Sequence, residues 1–135
     1  MPLNQTLTVV VRDVPGCLAA GVVDMTTGML LAIRTVDSHP QEVIDLLAAA
    51  TGDIFQGPNV TMIERLFKQA RGLPEDDSER YIQEIIILSN NLIHIFVRSK
   101  HEPNQVLVTV TRTSTNLGMA LARTRHSLKL VEDTL

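Results

Sequence analysis

At 135 residues, with 44% hydrophobic and 20% charged residues, the chain reads as one domain over residues 1–135. It can bury a single core, and its composition argues against disorder. A formal charge of −3, 3% aromatic residues and no Trp leave no basic face and no stacking platform, which excludes a nucleic-acid partner.

The charge is uneven. Residues 1–97 carry six Lys/Arg against twelve Asp/Glu, and residues 98–135 carry six against three. That is too mild an excess for a nucleic-acid footprint. One cysteine, Cys17, rules out an intrachain disulfide. No apolar run approaches the roughly 20 residues of a membrane span, and no basic leader precedes an apolar core as in a signal peptide. The expected compartment is a reducing cytoplasm, with no membrane partner.

Residues 3–14, LNQTLTVVVRDV, pit two signals against each other. Thr8, Val9, Val10 and Val11 favour a strand by propensity. Leu3, Leu7, Val10, Val11 and Val14 fall at helical spacing, which predicts a helix ending before Pro15-Gly16. Leu18–Asp24 reads as a strand. Met25–Gly28 is a turn in which Gly28 supplies positive φ, and Met29–Val36 is the next strand. Ala19, Ala20, Gly21 and Ala32 are small, so a helix can approach this hairpin closely or a space can remain.

Ser38-His39-Pro40-Gln41 is a helix start with a capping box. Val43, Ile44, Leu47, Ala48 and Ala50 form an apolar stripe that Ile54 and Phe55 extend. Gln56-Gly57-Pro58 interrupts it. Thr61-Met62-Ile63-Glu64 reads as a second capping box, with Ile63, Leu66, Phe67 and Ala70 on one face and Gly72 as the terminating residue. An acidic loop, Pro74–Glu79, follows.

Tyr81–Ser99, YIQEIIILSNNLIHIFVRS, reads as a β-hairpin with strands Tyr81–Leu88 and Leu92–Val97. The turn is Ser89-Asn90-Asn91, because Asn tolerates positive φ. Neither run alternates cleanly, so both faces are expected to be covered. Gln105–Arg112 alternates as a strand. A closing helix runs from Leu117 to Val131 with Leu117, Ala120, Leu121, Thr124, Leu128 and Val131 on one side. Arg123, Arg125 and Lys129 suit its later half. The order α-β-β-α(α)-β-β-β-α gives an α+β fold: a five-stranded antiparallel sheet with helices on its faces.

Chemistry is sparse. No phosphate-binding GxxxxGK[ST] or GxGxxG motif and no GxSxG elbow occurs. His39, His94, His101 and His126 lack the paired spacing of a zinc site. His94, alternating with apolar residues, reads as a satisfied or edge-facing strand histidine. Cys17 reads as a small apolar residue. Glu84 reads as a solvent-facing strand residue, with an inter-subunit ion pair as the alternative. No catalytic, metal-binding or cofactor-binding residue is nominated.

The chain resembles the roadblock family, the domain of dynein roadblock light chains, endosomal scaffold subunits and bacterial regulators of Ras-like GTPases. The matching stretches are Val14–Asp24 with the following Thr-Gly turn, the crossover helix from Pro40, the strands QEIIIL, NLIHIFVR and QVLVTVTR, and the helix opening Asn116–Ala120. They span roughly residues 3–130. The chain departs from the family at Gly52 and Gly57-Pro58, where members carry one long central helix.

The resemblance implies strand order 2-1-5-4-3, roadblock/profilin-like, with the central helix on one face and the terminal helices on the other. Tyr81–Leu88 then forms a sheet edge, and a long apolar edge needs a cover. In the family the cover is a second copy. The resemblance therefore implies a homodimer through Tyr81, Ile82, Glu84, Ile85, Ile86 and Ile87 on the edge and Leu47, Phe55 and Phe67 on the helices. It implies a non-enzymatic adaptor that regulates a small Ras-like GTPase. A small-ligand sensory domain of similar architecture is the alternative, because fold does not settle function.

Overall fold

The computed structural model describes residues 2–36, 41–74 and 80–134, with only the backbone of 41–46. The expected capping box at Ser38 and the acidic run Glu75–Glu79 lie outside the described residues. The elements are α1 (Leu3–Asp13), β1 (Cys17–Asp24), β2 (Met29–Thr35), α2 (Gln41–Gln56), α3 (Pro58–Ala70), β3 (Glu84–Leu88), β4 (Leu92–Arg98), β5 (Gln105–Arg112) and α4 (Leu117–Glu132).

Helical spacing prevails over β propensity in α1, where Leu7 and Val10 are fully buried. All neighbouring strands pair antiparallel, in the order β2-β1-β5-β4-β3. Helices α1 and α4 pack together on one face of this sheet, and α2 lies on the other. Strand alternation separates two cores. Ile95, Val97, Val22 and Leu107 meet Leu7, Val10 and Val131 on the α1/α4 side. Phe96 and Val106 meet Phe55 and Met25 on the α2 side. A buried hydroxyl pair, Thr109 with Thr124 at 2.9 Å, ties β5 to α4.

Several local expectations are corrected. Helix α3 starts at Pro58, with Gly57 as its N-cap. Thr61 therefore caps nothing: it lies one turn inside, and its hydroxyl donates to the Gly57 carbonyl at 3.0 Å. Proline at the first helical position, where its missing N–H costs nothing, sets the earlier start. The β3–β4 turn needs no positive φ, since only Gly16, Gly28 and Gly72 adopt it among the described residues. Ser89 closes that turn instead, its N–H donating to the Leu92 carbonyl at 2.9 Å and its Oγ accepting from the Leu92 N–H at 3.2 Å. Strand β3 begins at Glu84, so Tyr81 and Ile82 precede it. Both faces of β4 are buried, whereas β3 is largely exposed.

Candidate interaction surface

Strand β3 ends the sheet and pairs only with β4 among the described residues. Its outer N–H and C=O groups therefore face away from any strand. The edge is apolar: Ile86 is 39%, Ile87 36% and Leu88 67% exposed. Leu88, the most exposed of these, was not among the expected interface residues. Ile82 and Ile85 turn inward and pack on the α2-side core.

The helices add to this surface unevenly. Leu47 is 56% exposed. Phe67 is exposed on α3 and stacks on Tyr81, with ring centroids 5.2 Å apart. Phe55 is a correction: it is fully buried against Phe96, their rings 6.1 Å apart, and offers no surface. Leu47 and Phe55 belong to one apolar stripe, but only Phe55 is buried against the sheet. Met62, Ile63 and Leu66 on α3 are exposed as well.

Glu84 is held within its own chain. Arg125 of α4 grips it with two hydrogen bonds, Nη2 to Oε1 at 2.6 Å and Nε to Oε2 at 2.8 Å. That grip holds the Glu84 carboxyl below the usual carboxylate range.

Two polar residues position the edge. Glu64, buried on α3, accepts from the Tyr81 N–H at 2.6 Å and pairs with Arg80 Nε at 3.3 Å. It fastens the approach to β3 onto α3. Its expected place in a capping box is corrected: Thr61 caps nothing, and Glu64 reaches Tyr81 instead. Arg98, 3% exposed, donates through Nε to the Ile82 carbonyl at 2.8 Å, and through Nη1 to the Pro103 carbonyl at 2.7 Å and Gln56 Oε1 at 3.1 Å. It joins the end of α2, the approach to β3 and the β4–β5 turn. Burial pulls its guanidinium down to about 10.

Among the described residues, no three His, Cys, Asp or Glu side chains gather so as to hold a metal. In those residues no helix is long and apolar enough to cross a membrane. Burial pushes the Cys17 thiol up, away from the reactive thiolate.

No family model and no curated protein sequence matches the chain. Solved structures do. An MglB solved with a tetrameric arrangement is 16% identical, with a TM-score of 0.70 over 98% of this chain and 90% of that one. A roadblock/LC7 domain from Streptomyces avermitilis is 12% identical, with a TM-score of 0.66 over 98% and 97%. Profilin II of Acanthamoeba castellanii is 11% identical, with a TM-score of 0.60 over 98% and 99%. The strand order, the distribution of helices over the two faces and these matches along nearly the whole chain agree: the protein has the roadblock fold, in the wider profilin-like architecture.

Proposed function

We propose that this chain is a non-enzymatic, homodimeric adaptor that binds and regulates a small Ras-like GTPase in a reducing cytoplasm. The observation that carries this reading is the exposed apolar edge at Ile86, Ile87 and Leu88. Such an edge templates pairing with another strand unless something covers it. A two-fold axis through β3 would pair the strand with its own copy, a self-complementary and closed solution. The stacked Phe67–Tyr81 pair and the exposed side chains of α3 supply further apolar surface. An MglB of the same fold has a tetrameric arrangement, which supports self-association.

In this reading the chain does no chemistry. It offers a continuous ten-stranded platform, twice the five strands of one copy, on which a GTPase docks and has its loops fixed. Native mass by light scattering tests the first step, with two copies expected. Retention of Ras-like GTPases, loaded with GDP or a GTP analogue, on the immobilised protein tests the second. A monomer at high concentration, or no retention of any candidate in either nucleotide state, would overturn the corresponding step.

A further inference from the structure

Among the described residues, the α2 side of the sheet has a closed apolar core at one end. There Met25, Phe55, Phe96 and Val106 close together. At the other end the chain supplies small side chains: Ala19 and Gly21 on β1, and Ala48 on α2. What remains between α2 and the sheet is a cavity of about 560 Å³, well within the 300–1,000 Å³ typical of small-molecule pockets.

We propose that this cavity binds an uncharged, mainly apolar small molecule whose one hydroxyl or carbonyl group meets His94. Among the described residues the lining holds no Lys, Arg, Asp or Glu, so a charged ligand would lose its hydration with no partner among them in return. The polar side chains of the described lining are His94, Thr35 and Thr51. The Thr51 hydroxyl is already committed, donating to the Leu47 carbonyl at 2.9 Å. The ring nitrogens of His94 have no hydrogen-bond partner among the described residues. Its ring lies nearly parallel to that of Phe96, at 15° and 6.5 Å. Burial disfavours the imidazolium. A neutral imidazole offers one donor and one acceptor, the complement of a hydroxyl or carbonyl. A second copy is the poorer occupant, because the cavity is concave and exposes far less surface than the ~800 Å² per partner of a stable interface.

The test uses the full chain and N-phenyl-1-naphthylamine, an uncharged dye that brightens in apolar surroundings. The expected result is saturable uptake of one dye per chain, displaced by 1-decanol and not by decanoate. Ala19→Leu and Ala48→Met fill the cavity from opposite walls. Each should weaken dye binding at least tenfold while leaving circular dichroism and native mass unchanged. His94→Phe should keep the dye and weaken 1-decanol at least fivefold. Four results would overturn the proposal: no saturable uptake; equal uptake by a folded filling variant; equal competition by decanoate; or failure of both filling variants to fold, since a true void accepts a side chain. Uptake that falls as the copies associate would assign the cavity to the second copy instead. Dye binding does not depend on the adaptor reading, because a monomer that retains no GTPase would still take up the dye.

Discussion

The guanidinium carbon of Arg98 lies over the ring of Phe55, 5.2 Å from its centroid, with both residues buried. The cation is held by a ring, carbonyls and an amide, with no carboxylate among its hydrogen-bond partners in the described residues. Arg98→Met would leave the Ile82 and Pro103 carbonyls and Gln56 Oε1 without this donor, at about 1–3 kcal/mol for each acceptor left buried and unpaired. A loss of about 3 kcal/mol or more is expected from urea denaturation. Arg98→Lys should cost less but remain clearly destabilising, because an ammonium cannot reproduce the planar fork. A lysine variant as stable as the parent would contradict this account.

Phe55 and Leu47 share one helical stripe but differ completely in exposure. Phe55→Ala should cost about 3–5 kcal/mol through lost burial and the cavity left behind. Leu47→Ala should stay within about 0.5 kcal/mol for the isolated chain. Thermal and urea unfolding of the two variants, at concentrations where each is monomeric, reads the difference directly.

Natural sheet edges are blunted with lysine. Ile86→Lys places one on β3 at a side chain that is already partly exposed. It should weaken self-association at least tenfold, about 1.4 kcal/mol, with circular dichroism unchanged. Sedimentation equilibrium of both proteins supplies the comparison. Unchanged association would remove β3 from the interface.

His94 titrates below the ordinary histidine value because burial disfavours its charged form. The unfolded chain therefore binds more protons than the folded one between the lowered value and the usual ~6.5. This residue's contribution to stability is complete above ~6.5 and is lost as pH falls through that window. His94→Leu should flatten the decline in unfolding midpoint between pH 7 and pH 5. An unaltered slope would show that His94 does not contribute to it.

Gly57 separates α2 from α3, and a Cβ there would come within 2.5 Å of the Asp53 carbonyl oxygen. Gly57→Ala should destabilise by about 1–3 kcal/mol, the usual range for overpacking. The double change Gly57→Ala, Pro58→Ala removes both the glycine and the ring that blocks continuation. It should recover part of the loss by letting the two helices merge, with a rise in far-ultraviolet helical signal. No rise would show that the bend is held by packing and not by these two residues.

Much of this architecture is legible along the chain. Leu3, Leu7 and Val10 announce α1 despite its valines, and the runs 85–88 and 92–97 announce the hairpin. Other features are misread for identifiable reasons. Thr61 has the chemistry of a cap, but Pro58 offers an earlier start. Asn90 and Asn91 suit a positive-φ turn, but Ser89 closes it by hydrogen bonds. Phe55 looks as available as Leu47 because a stripe shows which side of a helix is apolar, not how much of that side the sheet covers. Glu84 offers no local sign that Arg125, 41 residues away, will grip it.

Periodicity, caps and turn residues act over a few residues, so the sequence by itself determined which segments are helices and strands and that they form an antiparallel sheet between helices. Which side chain of a stripe is covered, where Arg98 finds its acceptors and where a cavity stays open were decided only by tertiary structure. Each of these depends on contacts between residues far apart in the chain, and on how closely a helix can approach the sheet where the side chains are small.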